Sequence, residues 1–398
     1  MNREDFLILK SGIIYFDNGA TSLKPYILSD SISDYYNNYS ANSHRGDYDI
    51  SLKVDNLFEE SRELIRKFIN AKNSEQIVFT NNTTDALNKI IFGYFKNILK
   101  ENDEILITKS EHASIVLPWF ELAAKIGIKI KYIPLDHNLK VTLDNVKKSI
   151  TPNTKVISIA HITNVVGDKR PIEEIIKYAH SKGIKVLIDG AQSVPHISID
   201  VRKIDMDFLT FSAHKMCGPT GVGILYMKEE YLKEITPIIV GGGMNASFEH
   251  DGTKTYSNMP YLLEAGTPNI AGIIGFGSAI NYLNKLGMNK IEKYVNNLRK
   301  YAIERLKEVP NIIIYNELSE GSIITFNMED IFPQDLAIYL NKYNICIRAG
   351  NHCAKILKEE IGAKNTCRIS LYFYNTKEEI DKLVDVLKNR DNIYEIIL

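Results

Sequence analysis

The chain has 398 residues, 44% hydrophobic and 24% charged, and a net charge of -1 from 48 basic and 49 acidic side chains. That length can bury a core large enough for two domains, and the near-neutral balance gives no footing for nucleic acid or an anionic membrane surface. The N-terminus, Met1-Asn-Arg-Glu-Asp, mixes charges with no apolar signal core behind it, and no apolar run is long enough to span a bilayer, so a cytoplasmic enzyme is expected.

In chain order, the apolar runs 76–80, 104–108, 129–133, 155–160, 185–189 and 207–211 read as strands. Helical spacing marks 84–99, 116–126 and 172–182. Repeated strand–helix–strand units predict an α/β domain with a mainly parallel sheet, whose ligands sit beyond the carboxyl ends of its strands. Four polar clusters fall there: Thr80-Asn-Asn-Thr-Thr84, Ser110-Glu-His112, His161-Ile-Thr-Asn164 and Asp189-Gly-Ala-Gln192. Beyond Gly266 the texture changes. A long helical pattern runs from 271 to 307, short strands follow near 311–315 and 322–327, a helix starts at Pro333, and strands return at 346–348 and 368–371. The expected organisation is an N-terminal segment, 1–20, packing with a small domain, a large domain over 21–270, and a smaller α+β C-terminal domain over 271–398.

Lys215 carries the chemical argument. The apolar run 208–211 leads into Ser212, His214 and Lys215, then a Gly/Pro/Gly turn, then a second apolar run from Val222 to Met227. A lysine between two buried strands is poorly solvated, and burial favours its neutral, nucleophilic amine. Asp189 ends an earlier strand. Pyridoxal phosphate needs this pair: a lysine for the Schiff base and a carboxylate that keeps the pyridinium protonated. As a lone residue, Lys215 reads equally as a snorkelling side chain and Asp189 as a helix cap or ion-pair partner.

The other candidates each have a plainer reading. Thr83 and Thr84 open a helix, where free amides and hydroxyls bind phosphate or simply cap the helix; Ser212 and His214 would close such a cup. His112 would stack on a flat ring or lie on the surface, and Asn164 and Gln192 are amides at strand ends or turn residues. Of the four cysteines, 217, 346, 353 and 367, none forms a Cys-x-x-Cys pair, and no metal site is expected. Burial suits three of them; Cys353 differs, because it sits among small and polar residues beside His352 and near Arg348, which favours a reactive thiol. Arg368 would clamp a carboxylate with its planar fork or form a surface ion pair.

The ordered segments Tyr15-Phe-Asp-Asn-Gly-Ala-Thr21, Asn42-Ser-His-Arg45, Thr83-Thr84, Glu111-His112, His161 to Asn164, Asp189 to Gln192, Phe211 to Lys215, Glu264 to Asn269, Arg348 to Ala354 and Arg368 resemble the class V aminotransferase-like, fold type I pyridoxal phosphate enzymes. Within them the chain is similar to group II, SUF-type cysteine desulfurases. The resemblance implies the fold type I architecture, with a mainly parallel seven-stranded sheet and a smaller α+β domain. It implies that Lys215 holds the cofactor, Asp189 pairs with the pyridinium, Gln192 contacts the ring oxygen and His112 stacks on the ring. Thr83, Thr84, Ser212 and His214 would bind phosphate, with Thr267 reaching the phosphate of the other subunit of a homodimer. Asn164 and Arg368 would bind the substrate carboxylate, and His44, Arg45 and Arg348 would line the entrance. Cys353 would accept sulfur from L-cysteine as a persulfide, leaving alanine, and pass it to an acceptor protein of iron–sulfur cluster assembly. The alternatives on this scaffold are a selenocysteine lyase acting on L-selenocysteine, a kynureninase-like hydrolase or another C–S lyase; a non-catalytic sulfur-carrier-binding scaffold is the alternative of a different class. The chain departs from the family at Asn351, where a histidine is usual, at Lys355-Ile356, where Gln-Pro is usual, and at Cys217, where an aromatic is common.

Overall fold

In the computed structural model, which describes residues 3–44, 46–244, 246–390 and 393–397, seven strands form one sheet. Their order across it is Ile77–Thr80, Gly223–Met227, Phe208–Ser212, Lys185–Asp189, Thr154–Ala160, Glu104–Ile107 and Lys129–Tyr132. Gly223–Met227 runs antiparallel to both neighbours, and the remaining pairs are parallel. The mainly parallel α/β sheet read from the sequence is therefore present, with one reversed strand. Its inner strands are mainly apolar because both faces are covered, while the edge strand Lys129–Tyr132 is largely exposed. Along Lys185–Asp189, Val186 and Ile188 join one hydrophobic cluster and Leu187 the other, as the two-residue pleat requires.

The covering helices follow from spacing and caps. Ile172–His180 buries Ile172, Ile175, Ile176 and Ala179, one stripe at helical intervals. Glu173 and Glu174 occupy its first turn and Lys177 and His180 its last, matching the helix dipole. The expected helix over 84–99 begins at Thr83 and changes character: Thr83–Ile90 is α-helical, Ile91–Phe95 is a π turn, and Lys96–Ile98 returns to α. At the π turn Gly93 lies so close to the chain that an added Cβ would stand 2.5 Å from the Thr236 carbonyl oxygen. The single pattern expected over 271–307 is two helices, Ile270–Leu286 and Met288–Leu306, because the chain turns at Gly287 through a positive φ (84°) that glycine adopts readily.

A four-stranded antiparallel sheet, Ile312–Ile314, Ile323–Met328, Thr366–Ser370 and Arg348–Gly350 in that order, holds the C-terminal part together. The N-terminal segment is sewn to it. Ile14–Tyr15 pairs in parallel with Ile345–Cys346, Asn18 Nδ2 and the Gly19 amide bond Ser370, and Phe6 packs on Phe373 and Tyr374. No helix among the described residues is long and apolar enough to cross a membrane.

Candidate active site

The carboxyl ends of the large sheet open onto a cavity of about 260 Å³, closed on its other side by the small sheet. Its wall brings together Thr83, Thr84, His112, Asn164, Asp189, Gln192, Ser212, His214, Lys215, Arg348, Cys353 and Arg368. These residues span 286 positions of sequence, and the crossover connections are what gather them.

At one end is a cup of hydroxyls. The Asn82 side chain caps the helix by accepting the Asp85 amide, so neither threonine serves as the cap. Thr83 and Thr84 are thereby free to face the cavity. The Thr83 amide donates to Ser212 Oγ at 2.8 Å, and the two hydroxyls share a 2.6 Å bond. Thr84 Oγ1 pairs with Ser114 Oγ at 2.7 Å. The helix start sits this close to the reversed strand only because residue 223 is glycine; a Cβ there would stand 2.5 Å from the Asn82 backbone. At the other end Asp189, 5% exposed, accepts the Ala191 amide at 2.8 Å. Burial pushes its carboxyl up to about 6 despite that bond and the Lys215 charge. Burial also draws the Lys215 amine down to about 8, with Asp189 opposing the shift.

His112 caps the helix Ala113–Ile126, its Nδ1 accepting the Ser114 amide at 3.1 Å. Burial first, then the Lys215 and Arg348 charges, hold the imidazole down to about 4, so it is a flat neutral ring at neutral pH. Gln192 Nε2 donates to the Gly19 carbonyl at 2.8 Å. His214, half-buried beside Lys215, is likewise held down to about 4 by burial and by Lys215 and Lys24.

The small sheet contributes the arginines. Arg348 and Arg368 stand opposite each other on adjacent strands, an arrangement of like charges that calls for an anion between or beside them. Arg368 is 1% exposed, far from the surface ion pair that was the plainer expectation. It donates to the Asn164 carbonyl and to Asp17, both at 2.9 Å, while its Nε and Asn164 Oδ1 have no hydrogen-bond partner. Asp17 was missed as a site residue, although its motif was noted; no local pattern ties it to an arginine 351 positions away.

Cys353 is the exposed cysteine; Cys217 and Cys367 are buried, and Cys346 is half-buried rather than enclosed as expected. Its backbone is tethered. The Cys353 carbonyl accepts the Ala113 amide at 2.8 Å, and the His352 carbonyl accepts Asn164 Nδ2 at 2.6 Å. Asn351, the departure from the family pattern, closes the turn: its Oδ1 accepts the Cys353 amide at 3.1 Å and its carbonyl the Ala354 amide at 2.9 Å. His352 (φ 51°) and Cys353 (φ 59°) are both left-handed, a conformation non-glycine residues adopt at a cost.

Thr267 and His44 are not in this cavity. They line a separate pocket with Glu264 and Tyr261, where Glu59 bonding raises the His44 pKa against its partial burial. Arg45 lies outside the described residues.

The residues present suit pyridoxal phosphate: a carboxylate for a pyridinium, a depressed amine between, a hydroxyl cup at a helix start for phosphate, and unpartnered Asn164 Oδ1 and Arg368 Nε beside it.

The class-V aminotransferase family model matches residues 14–383. A probable cysteine desulfurase of Halalkalibacterium halodurans is 41% identical over 95% of this chain and 93% of its own length. Among solved structures, the apo cysteine desulfurase of Thermococcus onnurineus superimposes with a TM-score of 0.93 at 36% identity, covering 97% of this chain and 96% of that one. The cysteine desulfurase CsdA of Escherichia coli, in an S-sulfonic acid form, gives 0.92 at 32% identity, over 100% of this chain and 98% of that one. With its sheet, its strand-end site and these relatives in agreement, the chain belongs to the class-V aminotransferase family.

Proposed function

We propose that this chain is a pyridoxal phosphate-dependent cysteine desulfurase that takes sulfur from L-cysteine onto Cys353 and leaves L-alanine. The observation that carries this reading is the exposed thiol of Cys353 facing the cavity that also holds Lys215 and Arg368. A cofactor lysine alone would fit many reactions; a nucleophilic sulfur beside it selects sulfur transfer.

Arg368 and the Asn164 amide hold the substrate carboxylate, with Asp17 fixing the guanidinium. Asp189 would hold the cofactor's ring nitrogen, Gln192 its ring oxygen, His112 one face, and Thr83, Thr84, Ser212 and His214 its phosphate. The bound cofactor supplies an electron sink for the substrate's α-carbon. Lys215, with an amine drawn down to about 8, takes and returns the α-proton near neutral pH. The Cys353 thiolate attacks the substrate sulfur: an S–S bond forms, the carbon–sulfur bond breaks, and its electron pair stays with the carbon fragment that becomes alanine. Cys353 is left as a persulfide, ready for a protein acceptor of iron–sulfur cluster assembly in a SUF-type system. Arg348 guards the mouth. Thr267, exposed and outside its own chain's cavity, lines a separate pocket with His44, which supports a homodimer in which this pocket completes a neighbour's site.

Brief exposure of the loaded protein to L-cysteine, then mass measurement of its peptides, should find one added sulfur on the Cys353 peptide, and turnover with reductant should give alanine and sulfide in equal amounts. Alanine formation persisting undiminished in Cys353→Ser would refute the role given to that thiol.

A further inference from the structure

Lys24 has no part in the chemistry above, yet its ammonium reaches the segment that carries Lys215. Four donors converge on one main-chain oxygen, that of His214: the Thr21 hydroxyl at 2.9 Å, the Ser22 amide at 3.0 Å, the Ser22 hydroxyl at 3.2 Å and the Lys24 ammonium at 2.7 Å. A carbonyl oxygen has two lone pairs, so this acceptor is oversupplied, and the shortest of its bonds is charge-assisted. The same ammonium donates to the Ser22 carbonyl at 2.6 Å and to Thr21 Oγ1 at 3.3 Å.

No carboxylate among the described residues pairs with Lys24, and burial draws its amine down to about 8. Holding a half-buried cation on neutral oxygens alone is costly. Lys24 does not line the cavity, so contact with substrate does not account for it. What it does reach is the turn. Ser22 Oγ also accepts the Cys217 amide at 2.7 Å, so residues 21–24 grip the chain on both sides of Lys215. Cys217 (φ 63°) is a left-handed non-glycine residue, a conformation that persists only where the surroundings enforce it.

We propose that Lys24 is a positioning residue: by holding the His214 carbonyl it fixes the turn that aims the Lys215 amine into the cavity. This rests on the reading of Lys215 as the cofactor-bearing lysine. Lys24 acts through the main chain and touches neither cofactor nor substrate. A simple packing role would be filled by methionine, which matches the stem of lysine; the donor role would not.

The test uses the full chain freed of cofactor, as parent, Lys24→Met, Lys24→Gln and Lys24→Arg. Each is mixed with pyridoxal phosphate and the appearance of the visible band is timed. Borohydride reduction, digestion and peptide mass then locate the pyridoxyl group. Lys24→Met should form the linkage about tenfold more slowly, the loss of one charge-assisted bond, and should release cofactor faster on dialysis, with Lys24→Arg recovering most of both. If Lys24→Met does not fold, Lys24→Gln, which keeps a neutral donor, should still form the linkage several-fold more slowly than the parent. Labelling of Lys215 at the parental rate in the methionine or glutamine variant overturns the role of Lys24 alone. A pyridoxyl group on some other lysine of the parent overturns the assignment of Lys215, and the inference with it.

Discussion

Replacing Asn351 by alanine should slow sulfur transfer without weakening substrate binding. The turn it closes contains two successive left-handed residues, His352 and Cys353, each costing roughly 1–2 kcal/mol. Against that cost stand the Asn351 side-chain bond to the Cys353 amide and three outside tethers: Ala113 on the Cys353 carbonyl, Asn164 on the His352 carbonyl, and Thr366 on His352 Nε2 at 3.0 Å. Alanine removes only the first. A neutral hydrogen bond contributes about 1 kcal/mol, so the conformation that holds the thiol in the cavity should lose about a factor of five in population. Steady-state alanine formation should show kcat down about fivefold with KM for L-cysteine unchanged, because Arg368 and Asp17 are untouched. Alkylation of Cys353 by iodoacetamide should be faster, since the thiol spends more time outside. Asn351→Ser, whose hydroxyl can accept the same amide, should recover part of both. Parental kcat and parental alkylation in Asn351→Ala would refute the argument, as would a serine variant no better than alanine.

Two further predictions concern stability. Arg62, 1% exposed at its side chain, is gripped by Glu264 at 2.7 and 2.9 Å, with Glu59 on its other side. Glu264→Gln leaves the buried guanidinium short of charge and should cost about 3 kcal/mol in denaturant unfolding; a loss under 1 kcal/mol would show that Glu59 alone suffices. His161 and His196 are buried and held down to about 3 by burial. Both stay neutral in the folded protein while the unfolded chain protonates them below about pH 6.5, so stability falls as pH falls through that value. From pH 7 to 5 each should contribute roughly 2 kcal/mol of loss. His196→Gln should flatten that pH slope, and an unchanged slope would place the acid sensitivity elsewhere.

Much of the large sheet was legible because its signal is local. Strands buried on both faces read as continuous apolar runs, and the polar residues that end them mark the ligand edge whatever the helices between them do. Thr83, His112, Asp189 and Lys215 were all found that way. The helix pattern misled where one residue changed the backbone: Gly287 carries no apolar information to break the 271–307 periodicity, yet its positive φ ends the helix. Periodicity is blind to the π turn at Ile91–Phe95 as well, because residues 90–95 are apolar at nearly every position and leave no one-sided stripe to shift.

The acceptor side was legible only as an odd set of residues. Nothing local to Arg348-Ala-Gly-Asn-His-Cys353 reveals that the Cys353 carbonyl is fixed against the helix start after His112 or that the Asn351 amide closes the turn. Those facts depend on Ala113 and Asn164, which reach the loop from segments that follow strands of the seven-stranded sheet. The same holds for Arg368, whose burial against Asp17 joins the two ends of the chain. The consequence is chemical. His112 caps the helix whose first amide, that of Ala113, donates to the Cys353 carbonyl, so a change that moves this helix start moves the His112 ring and the Cys353 backbone together. The Cys353 turn is therefore held by groups from both sheets, the Ala113 amide and the Asn164 side chain on one side and Thr366 on the other, so its position answers to changes in either.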